Sequence, residues 1–312
     1  MKVTVIGAGN VGATAADCVA RKDMVGEVVL IDIPDKADYA RGKALDMYQA
    51  APIHGYDTRI TGGADYALTA GSQVCIITAG LPRKAGMSRS DLLKVNGDIV
   101  KSVTEQFAPH SPGAVIIVVS NPLDVMTWVA SEASGFPSNR VMGMAGVLDT
   151  ARYRAFLAME LGISVRDIQA LLMGGHGDSM VPLPSFTTVG GIPITSLITR
   201  ERLDEIVGRT KVGGGEIVKM MGTSAWYAPG AAAAEMAEAV IKDSGRVLPC
   251  AVKMDGNFGL NDLFIGAPAR LGKNGVEAII DVTLSDDERA LLHASAAEVS
   301  KDIAALREMW AA

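Results

Sequence analysis

Close to its start the chain reads Val3-Thr4-Val5-Ile6-Gly7-Ala8-Gly9-Asn10-Val11-Gly12. The first four of these residues are all β-branched, which is typical of a short strand buried on both faces. The glycines that follow have the spacing Gly-x-Gly-x-x-Gly. In such a turn the first glycine permits the reversal, the second lets a pyrophosphate approach the backbone, and the third lets the next helix pack closely. On this pattern alone, a dinucleotide-binding turn and an ordinary strand–turn–helix corner are equally acceptable.

The next predicted strand, over 27–32, ends in a carboxylate. This residue, Asp32, lies twenty residues beyond Gly12, where a dinucleotide-binding unit places the acid that accepts hydrogen bonds from the adenosine ribose. An aspartate that merely caps a turn is the alternative, but glycines, strand and acid in register favour the dinucleotide site. A carboxylate here would repel a 2′-phosphate, and no arginine follows it directly. We therefore predict NAD rather than NADP as the cofactor.

Strand and helix patterns alternate through about residue 146. Helices are predicted over 10–22 and from Ser88 or Ser90 to Phe107, the latter ending before a proline. Such alternation implies an α/β fold with a doubly wound parallel sheet. The further strand candidates of this part, of which the first is the weakest, are 57–60, 73–78, 114–119 and 140–144.

Beyond residue 146 the rhythm changes to short strands, turns and inserted helices, and a long amphipathic helix over 285–310 closes the chain. This pattern predicts a smaller α+β domain. We expect a dinucleotide-binding domain over 1–146 and a substrate domain over 147–312. The strand candidates of the second part are 168–173, 181–194, 247–254 and 263–265.

The composition excludes several classes of protein. A net charge of −6 gives no electrostatic case for binding nucleic acid or an anionic membrane surface. The three cysteines have no CxxC spacing, so we predict neither a disulfide framework nor a metal site, and a reducing cytoplasm fits. The uncharged segment 179–199 contains three prolines and many Ser and Thr residues, which favour strands and turns over a transmembrane helix.

Polar side chains follow the predicted strands at the edge where a doubly wound sheet binds its ligand. The loop after 73–78 carries Arg83, Lys84 and Arg89 between glycines, so it is either a solvated basic loop or a lid over the site. Asn121 follows the next strand. There it could serve the ligand or, equally well, cap the following helix.

The chain has four histidines, and one of them lies among glycines in Gly174-Gly175-His176-Gly177-Asp178. Histidines are more often structural than catalytic, but this setting and a candidate orienting carboxylate, Asp149, favour catalysis for His176. The histidines that lack a comparable setting are interpreted as surface or packing residues: His54, His110 and His293.

Four motifs occur in order along the chain: Gly80-Leu81-Pro82-Arg83-Lys84-x-Gly86-Met87-x-Arg89, Asn121-Pro122, Leu148-Asp149-x-x-Arg152 and Gly175-His176-Gly177-Asp178. Taken together, they resemble the lactate/malate dehydrogenases, and more closely the malate dehydrogenases built on the lactate dehydrogenase pattern. The resemblance runs from the first strand to the last helix, and it implies a Rossmann NAD-binding domain. One departure is Ala85, where many relatives have proline.

The resemblance implies a role for each of these positions. His176 would donate and accept the proton, Asp149 would orient its ring, and Arg152 would bind the C1 carboxylate of the substrate. Arg89 would polarise the reacting carbonyl when loop 80–91 closes, and Asn121 would hydrogen-bond the substrate. The implied NAD contacts are Gly7, Ala8, Gly9, Asn10, Val11, Gly12, Asp32, Asn96, Val119, Ser120 and Asn121.

Arg83 stands where the resemblance places the residue that selects the substrate. Lactate dehydrogenases resembling this chain carry glutamine there, whereas the malate enzymes carry arginine. Oxaloacetate would bring a second carboxylate to pair with Arg83, but pyruvate would leave the guanidinium enclosed and unpaired, at a cost of roughly 3–5 kcal/mol. The implied activity is reversible hydride transfer between NADH and oxaloacetate, giving (S)-malate and NAD.

Two alternatives remain at this point. One is the same chemistry on pyruvate or another 2-oxo acid, and Arg83 argues against it. The other is a non-catalytic dinucleotide-binding sensor, although the implied catalytic residues are all present. The resemblance further implies a homodimer or homotetramer, because the helix around 40–51 resembles the one that relatives use for pairing.

Overall fold

The computed structural model describes residues 1–82 and 89–311, and it describes Arg89 by its backbone alone. The first half builds a parallel sheet in the order β3-β2-β1-β4-β5-β6, where these strands are β1 (Lys2–Ile6), β2 (Glu27–Ile31), β3 (Arg59–Gly63), β4 (Val74–Ile77), β5 (Val115–Val118) and β6 (Val141–Gly143). This is the order of the Rossmann fold. The predicted fold class is confirmed.

Helices connect these strands and cover the sheet. The first begins at Asn10, directly after the glycine turn, and the last ends at Ala311. Within the described ranges, none of the helices is long and apolar enough to cross a membrane. The helices are α1 (Asn10–Arg21), α2 (Ala37–Gln49), α3 (Ala51–His54), α4 (Arg89–Phe107), α5 (Leu123–Ser134), α6 (Gly146–Leu161), α7 (Arg200–Met221), α8 (Tyr227–Ile241) and α9 (Asp286–Ala311).

The second half adds eight strands: β7 (Ile168–Gln169), β8 (Leu172–Met173), β9 (Val181–Pro182), β10 (Thr188–Val189), β11 (Ile192–Pro193), β12 (Arg246–Asp255), β13 (Asn261–Gly272) and β14 (Gly275–Ile279). Five of them are two-residue strands in small separate sheets. The other three extend the main sheet, because β12 pairs antiparallel with β6 through Ala251 and Gly143. The described parts of the two halves therefore share one nine-stranded sheet.

Several strands differ in extent from their sequence predictions. The candidate 168–173 contains the separate strands β7 and β8, and 181–194 contains β9, β10 and β11. The weak candidate 57–60 corresponds to β3, which spans 59–63 and so continues through Gly62. Only a glycine fits there, because an added Cβ would lie 2.3 Å from the carbonyl oxygen of Ala40 in α2. The candidates 247–254 and 263–265 belong to a long hairpin of ten and twelve residues. Pro268 and Gly266 interrupt the apolar pattern of its second strand, and such residues normally weaken a strand prediction.

The centre of the sheet is fully buried. Every residue of β4 and β5 is inaccessible to solvent, as expected for parallel strands covered on both faces. The carboxyl ends of β1, β2, β4 and β5 lie along one edge of this core. The loops at that edge carry the polar residues of the candidate site.

Candidate active site

The three glycines of the turn after β1 have two different surroundings. Gly7 has φ of +107°, and an added Cβ would lie 2.7 Å from the Thr78 hydroxyl. A Cβ on Gly12 would lie 1.8 Å from the Gly7 carbonyl oxygen. Gly9 differs, because no atom of the described residues lies within 4 Å of the position that its Cβ would take. The first and third glycines therefore serve close packing, whereas the second leaves open space in which a phosphate could approach the backbone.

The carboxylate of Asp32 is held at the end of β2 by two backbone amides. The Ala8 N–H donates to Oδ2 at 2.8 Å, and the Ile33 N–H donates to Oδ1 at 2.8 Å. The first bond ties the acid directly to the glycine turn. A carboxylate oxygen can accept more than one hydrogen bond, so both oxygens retain capacity for ribose hydroxyls. Glycines and acid thus form one continuous unit that fits the predicted dinucleotide.

A cleft of about 350 Å³ opens beside Asp32, between the end of β2 and α4. Its walls are largely apolar, which suits a flat aromatic base. Sequence reasoning did not connect these residues with a ligand, because they are ordinary apolar positions on separate elements. Among them are Ile33, Pro34, Tyr66, Ile99 and Val103.

Asn96 connects two loops at the carboxyl edge of the sheet. Its side chain is buried, with Nδ2 donating to the carbonyls of Leu81 and Asn121 and Oδ1 accepting from the Leu81 N–H. These bonds use both amide hydrogens. Asn96 therefore braces the loops that follow β4 and β5, and the direct contact to NAD stays a prediction.

The segment after β5 lies at the same edge. Val119 and Ser120 are buried, and the Ser120 hydroxyl donates to the Ala79 carbonyl at 2.6 Å. Asn121 is exposed, so its side chain is available to a ligand at the end of the strand.

Most of the basic loop after β4 lies outside the described residues. This part is 83–88, including Arg83. Arg89 begins α4, and its side chain also lies outside the description.

The three residues of the implied proton-transfer group lie in contact. His176 Nδ1 is 2.8 Å from Asp149 Oδ2, and Arg152 Nη1 donates to Asp149 Oδ1 at 3.2 Å. Asp149 and Arg152 are one helical turn apart on α6, so both side chains project from one face. The Asp149 side chain is 2% exposed, Arg152 13% and His176 17%. One buried carboxylate therefore joins the imidazole to the guanidinium.

The surroundings of His176 favour its charged form. Burial alone would lower the pKa of the imidazole, but the adjacent Asp149 carboxylate and, more weakly, Asp124 act in the opposite direction and raise it above its ordinary value. Because Asp149 accepts from the Nδ1–H, the proton that can move to or from a ligand is on Nε2.

The backbone around His176 is fixed by three different elements. Gly174 exchanges two backbone hydrogen bonds with Gly266 of β13, the Gly175 N–H donates to the Ser295 hydroxyl of α9, and the His176 N–H donates to Asp124 of α5. Sequence reasoning missed Ser295 and Asp124. Neither lies in a glycine-rich or charged motif, so no local signal marked them.

Packing explains two of the glycines next to His176. A Cβ on Gly174 or Gly175 would approach neighbouring atoms to 3.0–3.1 Å. Only Gly177 faces space that is open within the described part of the chain. Of the other histidines, His54 and His110 are exposed, and His293 Nε2 lies 2.9 Å from the carbonyl oxygen of Phe258.

Comparison with known proteins assigns the family. Residues 1–143 match the model described as lactate/malate dehydrogenase, NAD binding domain, and residues 146–309 match the lactate/malate dehydrogenase, alpha/beta C-terminal domain. The chain belongs to the lactate/malate dehydrogenase family. The predicted NAD cofactor and the predicted family are thereby confirmed.

Relatives match this family member over nearly its full length. It is 65% identical over 309 residues to a malate dehydrogenase of Salinibacter ruber, covering 99% of this chain and 98% of that protein. A solved structure of malate dehydrogenase from the same organism has a TM-score of 0.95 at 63% identity, covering 99% and 98% of the two chains.

The fold alone does not distinguish the two activities for which the family is named. The lactate dehydrogenase of Cryptosporidium parvum, solved with lactic acid and nicotinamide adenine dinucleotide, has a TM-score of 0.94 at 40% identity, covering 98% of each chain. The choice between the substrates must therefore depend on individual side chains at the site.

Proposed function

We propose that this chain is an NAD-dependent malate dehydrogenase that interconverts oxaloacetate and (S)-malate. The observation that carries the proposal is the buried contact of His176 with Asp149 and of Asp149 with Arg152. This group adjoins the carboxyl edge of the sheet, because the His176 N–H binds Asp124 in the first turn after β5. The 65% identity to a malate dehydrogenase supports the same activity.

The three residues divide the work of binding and proton transfer. Arg152 pairs with the C1 carboxylate of the substrate, which a planar guanidinium can bind through two hydrogen bonds. Asp149 holds the imidazole through Nδ1, so that Nε2 of His176 faces the reacting oxygen. In oxaloacetate reduction His176 gives up the Nε2 proton to that oxygen, and in malate oxidation the neutral ring accepts it.

The cofactor site fits NAD. The open backbone at Gly9 would receive the pyrophosphate, Asp32 the adenosine ribose, and the adjoining cleft the adenine. NADH, when bound, supplies the hydride that reduces the substrate carbonyl. We assign the other implied contacts as the sequence predicts them, namely Ala8, Asn10, Val11, Gly12, Asn96, Val119, Ser120 and Asn121.

Two arginines of the sequence motif complete the proposal. Arg89 stabilises negative charge that develops on the carbonyl oxygen, and Arg83 pairs with the second carboxylate of oxaloacetate. Asn121, exposed at the end of β5, hydrogen-bonds the substrate. These roles rest on the sequence motif and its resemblance to the family.

The test is turnover by the purified chain. NADH absorbance should fall rapidly with oxaloacetate and slowly with pyruvate, and NADPH should serve poorly in place of NADH. Faster turnover of pyruvate would assign the chain to the lactate dehydrogenases. Turnover of neither 2-oxo acid, in a chain that binds NADH, would indicate a dinucleotide-binding sensor.

We further propose that the chain forms a homodimer or homotetramer. Helices α2, α3 and α8 expose apolar side chains, with Tyr39 51%, Ile53 83% and Tyr227 71% accessible. A cleft of about 710 Å³ lies between α1, α2 and α8. Exposed apolar patches of this kind mark protein–protein contacts. Light scattering should give two or four times the mass of the chain.

Two further predictions are retained as proposals. We place the division between the NAD-binding and substrate domains at residues 146 and 147, where α6 begins. We also propose a cytoplasmic location, because the buried thiols of Cys75 and Cys250 are unpaired, as in proteins of a reducing compartment.

A further inference from the structure

Asp124 is a buried carboxylate that the mechanism above does not use. It lies in the first turn of α5 and is 5% exposed. Oδ2 accepts the His176 N–H at 2.8 Å, whereas Oδ1 is buried and has no hydrogen-bond partner among the described residues. An incompletely satisfied buried carboxylate is costly to a fold. The position of this carboxylate beside His176 indicates that it acts on that histidine.

Among the residues that the structure describes, the charged groups bound to His176 or to Asp149 come from two helices. Asp149 and Arg152 belong to α6, and Asp124 belongs to α5. The remaining neighbours that fix this segment, Gly266 of β13 and Ser295 of α9, are uncharged. His176 is thus flanked by two carboxylates, one at its ring and one at its backbone N–H. Within the described residues, only the first of these is also bound to an arginine.

The surroundings of the Asp124 carboxyl agree with this arrangement. Burial raises the pKa of its carboxyl to about 6, against the hydrogen bond and the positive charge of His176, which favour the ionised form. The influence is mutual, because Asp124 also contributes to the raised pKa of His176. In its ionised form, Asp124 places a negative charge next to the histidine.

We infer that Asp124 is a positioning residue for proton transfer, which fixes the His176 backbone to the carboxyl end of β5 and adds a second negative charge that favours the imidazolium. The inference rests on the proposed role of His176 as proton donor. A different explanation is that Asp124 merely accepts the His176 N–H. In that case an uncharged oxygen would serve equally well.

The variant Asp124→Asn separates these explanations, because the amide oxygen can still accept the N–H while the charge is lost. We expect the pH midpoint of oxaloacetate reduction to fall by about 0.5–1 pH unit, since a nearby opposite charge supports the protonated form. The matched control is Asp178→Asn, which removes an exposed carboxylate two residues from His176. Solvent screens that charge, so the control should shift the midpoint much less.

A shift in Asp124→Asn no larger than in the control would overturn the inference, even if kcat fell at every pH. Should Asp124→Asn fail to fold, Asp124→Ser provides another uncharged acceptor for the same titrations.

A second measurement does not depend on turnover. NMR titration of the imidazole in the protein without substrate should show the same decrease for His176, whose signals are assigned by their loss in His176→Asn. If the wild-type chain reduced neither oxaloacetate nor pyruvate, the proposed function would fail while this titration still decided the role of Asp124. An unchanged His176 titration in an active enzyme would refute the inference alone.

Discussion

The proposed cofactor edge, formed by the glycine turn and Asp32, and the proposed proton-transfer group around His176 are built by different means. The cofactor edge is local, since its key hydrogen bond joins Ala8 to Asp32 across 24 residues of one strand–helix–strand unit, and it presents mainly backbone atoms. The proton-transfer group uses side chains from distant elements. His176 reaches Asp124 across 52 residues, and its neighbour Gly175 reaches Ser295 across 120. The glycine turn and Asp32 are therefore encoded in one strand–helix–strand unit, whereas the group around His176 depends on contacts between remote parts of the chain.

The sharpest way to separate the two regions is to replace His176. His176→Asn should lower kcat by about 10²–10⁴-fold, the usual contribution of a general acid or base. The Kd for NADH should stay near the wild-type value, because the glycine turn and Asp32 are untouched. Stopped-flow turnover and NADH fluorescence measure the two quantities, and the exposed His54→Asn is the control. A kcat within tenfold of wild type would remove His176 from proton transfer.

A smaller effect on rate, but a change of substrate, is expected from Arg83→Gln. Loss of the partner for the second carboxylate should lower the preference for oxaloacetate over pyruvate by about a hundredfold to several thousandfold. The measured quantity is the ratio of kcat/KM for the two substrates, with Lys84→Gln as a control for general loss of positive charge in the loop. An unchanged ratio would mean that Arg83 does not select the substrate.

The same contrast explains which features could be predicted from sequence. The glycine spacing, the β-branched strand and Asp32 all lie within one supersecondary unit, so local rules were sufficient to predict NAD as the cofactor and the first strand–helix–strand unit of the sheet. His176 and Asp149 could be singled out by residue type and surroundings. Their contact, however, follows from the packing of α6 against the rest of the chain.

Features that depend on remote contacts had no sequence signal. Asp124 resembles any acidic residue in the first turn of a helix, and Ser295 any small residue on an amphipathic helix. Glycine is an unfavourable residue in a strand, so Gly62 weakens a strand prediction. The fold nevertheless requires it, because α2 passes too close for a Cβ. Asp124 and Ser295 take their roles from partners 52 and 120 residues away, and Gly62 takes its role from the packing of α2 against β3. No motif along the chain identifies these partners.

Asp32→Ser tests whether the cofactor edge binds NAD through the carboxylate of Asp32 as well as through its own backbone atoms. Loss of hydrogen bonds to a charged group typically costs about 1.5–3 kcal/mol, so the Kd for NADH should rise about tenfold to a hundredfold. NADPH should lose far less, because its 2′-phosphate no longer meets a carboxylate. The comparison is made by fluorescence titration of both cofactors. Equal losses of affinity for NADH and NADPH would show that Asp32 supports the glycine turn through its hydrogen bond with Ala8 and does not bind the ribose.

The smallest expected effect concerns the substrate side, where α7 passes Arg152. A Cβ added to Gly213 would lie 2.4 Å from Arg152 Cδ and 3.1 Å from Nε, so Gly213→Ala must displace the guanidinium. We expect KM for oxaloacetate to rise about five- to tenfold, as for roughly 1 kcal/mol of lost hydrogen bonding. The Kd for NADH should not change, because the cofactor edge is built without α7.

Gly215→Ala is the matched control for this variant, because it adds the same methyl group to the same helix. No atom of the described residues lies within 4 Å of its Cβ position, and Gly215 is exposed. Both substitutions should gain about 1 kcal/mol of helix propensity, but only Gly213→Ala should alter KM. Equal KM values in the two variants, with similar thermal unfolding, would show that Arg152 tolerates displacement. Substrate binding would then depend less on a fixed position of Arg152 than its buried contact with Asp149 implies.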